Sequence, residues 1–173
     1  NVGSIELKFE DYVKDSQGNN LDINGDSIVD ANDMIDNTNY VRALSVAINN
    51  DPYMNKLVTA YNGEYTKDID GNIIPPDLTL DRYLVLEAKT AGMDGKFEST
   101  LEFQRGDAVA GLQENVLFEK SSYQSKEASD EVYLQSIDQK TQLSSGIIQA
   151  KIENLTTNSG SNRYQEYKDL LDN

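Results

Sequence analysis

The chain of 173 residues has no cysteine, histidine or tryptophan, and these absences exclude several kinds of site. Without thiolate or imidazole ligands it cannot build a typical zinc site, nor the nucleophile and base of Ser-His-Asp and Cys-His enzymes. Disulfides are excluded as well, so stability must come from packing, for which this length suffices. What remains is carboxylate chemistry, either as paired catalytic acids or as oxygen ligands of a hard cation such as Ca²⁺.

Positive charge is also scarce, since 15 lysine and arginine residues stand against 30 aspartate and glutamate residues. A net charge of -15 repels phosphate and no basic patch is visible, so we predict no nucleic-acid partner. No stretch approaches the roughly 18 apolar residues that cross a bilayer, so we predict no membrane partner. The sequence begins at Asn1 without a signal-like segment, so we expect it to be a piece of a larger chain. Missing cysteine agrees with an extracellular bacterial protein, although it occurs in the cytosol too.

Short periodic segments predict several strands and one good helix. Residues 5–9 alternate apolar and polar side chains, the period of a half-buried strand. Residues 38–50 have the apolar spacing of a helix, with Thr38 as N-cap and Pro52 after its end. Asp94-Gly95 predicts a hairpin turn between two of the extended runs. These runs lie at 56–65, 83–88, 97–103 and 116–119.

The predicted fold class is therefore α+β: a mainly antiparallel β-sheet with one short helix packed on it and a C-terminal helix at residues 164–171. We expect residues 1–120 to form an α+β domain. Residues 121–173 are more polar and have thinner apolar spacing, so they form either a second subdomain or a part of the same domain.

Residues 22–33 place oxygen donors at the spacing of an EF-hand-type calcium loop. With Asp22 as position 1, oxygen side chains fall at positions 1, 3, 5, 9 and 12, and a backbone carbonyl falls at position 7. Ca²⁺ requires six to eight oxygens, which one loop supplies only if alternate residues point inward. Ser27 replaces the usual glycine at position 6, and the last ligand is aspartate instead of glutamate. The predicted ligands of Ca²⁺ are Asp22, Asn24, Asp26, Ile28 through its carbonyl, Asp30 and Asp33.

The alternative for this segment is an Asx-rich turn that caps the next helix without a metal ion. We favour calcium because five oxygen side chains at the required offsets exceed what a turn needs. The segment resembles the calcium loop of dockerin modules, which pair two such loops. The second candidate, Asp68, Asp70 and Asn72, is interrupted by Pro76, so we expect a solvated turn there.

A helix followed by two strands forms a second recognisable arrangement. Residues 38–49 contain Ala-Leu-x-x-Ala-Ile-Asn, residues 58–61 contain Val-Thr-Ala, and residues 84–92 read Leu-Val-Leu-x-x-Lys-Thr-x-Gly. This order resembles the outer, variable domains of bacterial flagellar axial proteins: flagellin, the filament cap, the hook protein and the hook-associated proteins. Tail-sheath proteins of contractile phages have a similar arrangement. Residues 67–77 are an insertion relative to this pattern.

The resemblance implies a structural, non-catalytic domain exposed on an extracellular filament or hook of the bacterial flagellum. Its partners would be copies of the same chain in a polymeric assembly, and no small-molecule substrate is identified. The axial helices that polymerise the shaft are absent, so we expect an outer domain inserted in a larger chain. Calcium would then stiffen the loop that precedes the helix.

Two other functions stay open at this stage. One is a calcium-dependent binding module, dockerin-like or carbohydrate-binding, of a secreted enzyme, adhesin or phage tail protein. The missing second loop weighs against the first form, and the missing tryptophan weighs against the second. The other is a carboxylate glycosidase, but none of the 30 acidic residues stands inside a recognisable motif.

The acidic residues are not evenly spread along the chain. Residues 1–51 contain 10 acidic and 3 basic side chains, whereas the following 122 residues contain 20 and 12. The density of negative charge is therefore greatest around the predicted calcium loop. We interpret part of the acidity as a supply of ligands and the rest as a solvated surface.

Overall fold

The computed structural model describes residues 2–63, 66–67, 73–74, 83–91, 95–104, 118–123, 132–139 and 146–155. The helices in these ranges are α1 (Tyr40–Asn50) and α2 (Met54–Leu57), and a short 3₁₀ turn spans Ala31–Asp33. The predicted C-terminal helix at 164–171 lies outside the described residues. The strands are β1 (Val2–Lys8), β2 (Val58–Asn62), β3 (Thr66–Lys67), β4 (Ile73–Ile74), β5 (Tyr83–Ala91), β6 (Phe97–Gln104), β7 (Phe118–Tyr123), β8 (Val132–Gln139) and β9 (Ile147–Asn154).

Two antiparallel sheets form most of the described structure. One has the strand order β1-β9-β6 and the other has the order β2-β5-β8-β7. Among the described strands, β3 and β4 pair only with each other. Every pairing in the two sheets is antiparallel. The mainly antiparallel α+β fold with a short helix is thus confirmed. Strands β8 and β9, which come from the polar part of the chain after residue 121, lie inside the two sheets and pair with strands from the first 120 residues.

Strand β1 follows the alternation of its sequence. Leu7 is buried while Glu6 and Lys8 are exposed, so one face of the strand contributes to the core. The strand runs from Val2, three residues before the predicted start, and it stops before Phe9. It ends there because Glu10 has a φ of 66°, a left-handed conformation that reverses the chain.

The predicted hairpin between β5 and β6 is wrong. Strand β5 pairs with β2 and β8, and β6 pairs with β9, so the two strands belong to different sheets. Alternation identifies a half-buried strand but does not say which strand lies beside it. Gly95 is required here for a different reason, because a β-carbon on this buried residue would overlap the carbonyl oxygen of Thr90.

Helix α1 confirms the predicted helix and buries the expected face. Val41, Leu44 and Ile48 are all at most 2% exposed, and the helix packs against β2 and β5. The predicted N-cap is wrong, since the cap position is Asn39 and not Thr38. The carboxylate of Asp36 turns the chain into the helix instead, because it accepts the N–H of Thr38 at 2.7 Å and that of Asn39 at 3.1 Å.

The extended run predicted to begin at Lys56 starts two residues later. Residues Met54–Leu57 form the helical turn α2 before β2 begins at Val58. The carboxylate of Asp51 stabilises this turn, since it accepts the N–H groups of Tyr53 and Met54 at 2.9 and 2.7 Å. Acceptors at this position satisfy the free N–H groups of a helix start.

The two sheets contact each other through side chains of β6 and β8. The rings of Phe97 and Tyr133 meet edge to face with centroids 4.9 Å apart. The hydroxyl of Ser99 also hydrogen-bonds the buried side chain of Gln135. Among the described residues, buried apolar side chains of α1 and of both sheets belong to one cluster. None of the helices in the described part of the chain is long and apolar enough to span a membrane.

Candidate calcium-binding loop

Both ends of the 22–33 loop are fixed to the same short segment after β1. At its beginning, the N–H of Leu21 donates to the carbonyl of Val13 at 2.8 Å. At its end, Met34 forms an antiparallel bridge with Tyr12, and Ile35 is buried. The fold therefore holds the two ends close together and leaves the residues between them to form a compact loop.

In the first half of the loop, the side chains at alternate positions turn back onto the backbone. Asp22 accepts the N–H of Gly25 through Oδ1 and the N–H of Ser27 through Oδ2, both at 2.6 Å. Asn24 accepts the N–H of the residue two positions later at 2.9 Å, and Asp26 does the same at 2.8 Å. The residues that accept these backbone N–H groups lie at positions 1, 3 and 5 of the predicted loop.

The backbone has a left-handed conformation at two positions of the loop. Gly25 has a φ of 83° and Ser27 a φ of 69°. Ser27 occupies position 6, where an EF-hand-type loop needs glycine for a sharp turn. The turn forms with serine in this place, although a β-carbon makes this conformation less favourable by about 1–2 kcal/mol. The bond from its N–H to Asp22 helps to offset this cost.

Asp33 links the end of the loop to its beginning. Its side chain is fully buried, and Oδ1 accepts the N–H of Ile23 at 2.9 Å and that of Asn24 at 3.2 Å. Oδ2 accepts the N–H of Asp30 at 2.9 Å. Burial alone would raise the pKa of this carboxyl, but the three N–H donors outweigh it and hold the pKa below its ordinary value. Asp33 is therefore an ionised group at neutral pH.

Asp30 and Asp33 cap the 3₁₀ turn between them. Asp30 accepts the N–H of Asn32 at 2.7 Å, while Asp33 accepts the N–H of Asp30 in return. This reciprocal pair is the capping box expected of an Asx-rich turn. The alternative interpretation of the sequence, a turn that caps a following helical segment, thus describes this half of the loop as well.

The structure places the six predicted ligands in one loop but does not draw their carboxylates into a cluster. Among the described residues, no group of three or more carboxylate side chains lies close enough together to hold a metal ion. Asp26, Ile28 and Asp30 are exposed to solvent, and Asp33 is buried. The second candidate segment, with Asp68, Asp70 and Asn72, lies outside the described residues.

The donor chemistry of the loop fits Ca²⁺. Its polar side chains are carboxylates, amides and one hydroxyl, and residues 22–33 contain no lysine or arginine that would compete for the carboxylates. A carboxylate has about four acceptor sites, so the aspartates keep lone pairs beyond those that accept N–H groups. Binding of one ion requires the exposed carboxylates to move toward each other around those remaining lone pairs.

Sequence reasoning missed a second Asx turn, at Asp15. Its Oδ1 accepts the N–H groups of Gln17 and Asn19, both at 2.8 Å, and Gly18 completes the turn with a φ of 87°. The signal in the sequence is an aspartate followed by glycine and asparagine. This turn uses the same kind of local hydrogen bonds as Asp22 without the ligand spacing, which makes it an internal control for the candidate loop.

The exposed tip of the loop carries two apolar side chains. Ile28 is 61% exposed and Val29 is 48% exposed. Val29 stands at position 8 of the loop, and the described residues do not cover its side chain.

The chain matches no protein-family model, no curated protein and no solved structure.

Proposed function

We propose that the chain is a calcium-stabilised, non-catalytic structural domain exposed on an extracellular bacterial filament or hook. One observation carries the calcium part: in the 22–33 loop the side chains at positions 1, 3 and 5 accept backbone N–H groups of the same loop, and the residues at positions 4 and 6 are left-handed. The ion would be held by the side chains of Asp22, Asn24, Asp26, Asp30 and Asp33 and by the carbonyl of Ile28.

Calcium would act on the loop chiefly through charge. Four carboxylates lie within twelve residues, and the segment has no basic side chain to offset them. A divalent ion shared by these carboxylates removes their mutual repulsion, which is costly where the groups are partly desolvated. Because the loop leads through Asp36 into α1, its stiffening would also fix the start of the helix.

The filament part of the proposal depends on the order of helix and strands. The resemblance to outer domains of flagellar axial proteins needs α1, β2 and β5 to form one packing unit. Strands β2 and β5 are antiparallel neighbours, and α1 packs against both. This arrangement supports the proposal. In it, the domain is exposed on the surface of a bacterial flagellum, and its partners are copies of the same chain.

Thermal unfolding of chelated protein tests the calcium part. Millimolar Ca²⁺ should raise the melting temperature, because a ligand that binds only the folded state stabilises it, by about 2.7 kcal/mol at 100 times the Kd. Asp22→Ala and Asp26→Ala should abolish the shift. Asp15→Ala removes the matching Asx turn outside the loop, so this variant should keep the full shift. Equal responses in all four proteins, or no shift in the parent, would disprove calcium binding by this loop.

Immunogold electron microscopy tests the filament part. Antibodies against the domain should label the filament or hook of intact cells that produce the chain, at regular intervals along the assembly. Labelling of the secreted fraction alone would contradict the filament proposal and favour a binding module of a secreted protein. The calcium result and the labelling result are independent of each other.

A further inference from the structure

A groove lies beside the outer edge of β1. Its volume is about 390 Å³, within the range of ligand-binding clefts. It is bordered on one side by residues 5–8 of β1 and on the other by residues 11–16, which diverge from the strand after the left-handed turn at Glu10. The C-terminal end of α1 and the residues up to Pro52 form its third wall.

The hydrogen-bond ladder shows which backbone groups of β1 point away from β9, toward the open side of the strand. Phe9 lies opposite Gly146 in the extended register and donates its N–H to the carbonyl of that residue at 3.0 Å. In an antiparallel pair, residues that bond the neighbouring strand alternate with residues whose N–H and C=O point away from it. Counting back from Phe9, Ile5 and Leu7 bond β9, so the N–H and C=O groups of Ser4 and Glu6 point outward.

The next residue of the outward set confirms this assignment. The carbonyl of Lys8 accepts the N–H of Asp11 at 3.2 Å, outside the pair of β1 with β9. Within the described part of the chain, the outward N–H and C=O groups of Ser4 and Glu6 have no backbone partner. A row of such groups is a template on which a further strand can form.

The other sheet shows what a closed edge looks like in this protein. At the edge strand β2, the side-chain amide of Asn49 hydrogen-bonds both the N–H and the C=O of Ala60, each at 2.8 Å. No comparable side chain among the described residues bonds the outer edge of β1. The fold thus blocks the outer edge of β2 and leaves the outer edge of β1 next to a groove.

Charge and shape indicate what the groove accepts. Four carboxylates line it, from Glu6, Asp11, Asp15 and Asp51, but only two ammonium groups do. One of these is neutralised within the groove, since Lys14 Nζ lies 3.1 Å from Asp11. The excess of two negative charges favours a cationic occupant. The buried side chains of Leu7, Val13 and Ala47 add an apolar floor.

We propose that this groove binds an extended, basic peptide segment of a partner chain, which adds to the edge of β1 as a further strand. The four residues of β1 along the groove span about 13 Å, which fits a segment of about four residues. Main-chain hydrogen bonds to Glu6, which lines the groove, and to Ser4, just beyond its end, would provide affinity. The carboxylates would select lysine or arginine side chains. So small an interface makes the complex a weak and transient one.

Amide hydrogen exchange measured by NMR tests the proposal on the full chain. The probe is a capped hexapeptide of alternating threonine and lysine. It should slow exchange at the N–H groups of Ser4 and Glu6, while those of Ile5 and Leu7, already bonded to β9, should not change. The same peptide methylated on alternate amide nitrogens should bind at least about tenfold more weakly, because it lacks the N–H groups that would donate to backbone carbonyls of β1. A peptide with glutamate in place of lysine should not bind.

The same substitution inside and outside the groove provides the matched control. Asn50 is an exposed residue on the wall of the groove, whereas Asn37 is an equally exposed asparagine that does not line it. Asn50→Trp should fill the groove and abolish peptide binding, and Asn37→Trp should bind like the parent. Equal binding to both variants would overturn the proposal, as would binding that leaves exchange at Ser4 and Glu6 unchanged. Protection of these two amides in the absence of peptide would also overturn it, because the edge would then already be covered.

Discussion

The side-chain amide of Asn49 forms two hydrogen bonds with the backbone of Ala60, both 2.8 Å long. Its Nδ2 donates to the carbonyl, and its Oδ1 accepts the N–H. A side chain of α1 thereby takes the place that a neighbouring strand would have at the edge of β2. The same two bonds fix the helix on the sheet and close the edge against strand addition.

Replacement of Asn49 by alanine should lower the free energy of unfolding by about 1–3 kcal/mol. The variant leaves the N–H and C=O of Ala60 without their partners in a partly buried place. Leaving these polar groups unpaired costs more free energy than the two hydrogen bonds contribute in the parent. Urea unfolding followed by circular dichroism measures the change. Asn50→Ala is the matched control. Asn50 is exposed, and within the described part of the chain its side chain bonds only the carbonyl of Val46 in its own helix. We therefore expect a change within about 0.5 kcal/mol. Equal losses in the two variants would contradict the role given to Asn49.

Asp33→Asn should destabilise the chelated protein by about 1.5–3 kcal/mol. The substitution keeps the shape of the side chain but removes its charge and places an NH₂ group against backbone N–H donors. Unfolding in urea with a chelator present isolates this structural effect from any effect of calcium. Asp26→Asn is the control, because Asp26 is exposed and accepts only one N–H within the loop. If Asp26→Asn lowers the free energy of unfolding as much as Asp33→Asn does, the conclusion that Asp33 links the two ends of the loop is refuted.

Acid should destabilise the protein in a specific range of pH. Burial alone would raise the pKa of Asp33 and of Asp36, but hydrogen bonds outweigh it and hold both pKa values below the ordinary one. The donors are backbone N–H groups at Asp33, and the hydroxyl and N–H of Thr38 with the N–H of Asn39 at Asp36. A carboxyl whose pKa is lower in the folded state contributes stability that is complete above the unfolded pKa of about 3.9 and is lost as the pH falls through the folded value. We therefore expect stability in chelator to begin falling near pH 4, and Asp33→Asn to flatten this dependence.

Gly3→Ala should destabilise the contact between β1 and α2. An added β-carbon would lie 2.6 Å from Cγ of Met54 and 2.7 Å from Cδ1 of Tyr53, both closer than van der Waals contact permits. Overpacking of this kind costs about 1–3 kcal/mol, and Met54 is fully buried, so little space exists for it to move. Ser4→Ala, at the exposed neighbouring position, should change stability little. A neutral Gly3→Ala variant would show that α2 shifts freely on the strand.

Much of the fold follows from the sequence because its signals are local. The helix at 38–50 and the strand at 5–9 are each defined by the burial of side chains at a fixed period, and the structure contains both. The pairing partner of a strand does not follow from such local signals. β5 and β6 are consecutive and flank an Asp-Gly turn signal, yet they lie in separate sheets, because pairing is decided by which faces complete the core and not by sequence proximity.

The candidate loop was predictable for the same reason, since its donors lie within twelve consecutive residues. The turns at Asp22, Asn24 and Asp26 repeat the spacing seen in the sequence. The groove beside β1 was not predictable, because it depends on the left-handed turn at Glu10 and on a helix about forty residues away. Nor does spacing reveal that Asn49 reaches Ala60, since that contact depends on how α1 lies on β2.

Ser27→Gly should stabilise the chelated protein by about 0.5–1 kcal/mol. Serine in the left-handed region costs about 1–2 kcal/mol that glycine avoids, and the greater flexibility of glycine in the unfolded chain offsets about half of this gain. For a chain of this length, 1 kcal/mol corresponds to a rise in melting temperature of about 2–4 °C.

Ser16→Gly is the matched control, because Ser16 lies in the turn after Asp15 with an ordinary φ, so the same change there should only destabilise. If the loop binds calcium, Ser27→Gly should also bind it more tightly than the parent, since position 6 then has its usual residue. A loss of stability in Ser27→Gly equal to that in Ser16→Gly would contradict the left-handed turn, and with it the backbone conformation on which the calcium proposal depends.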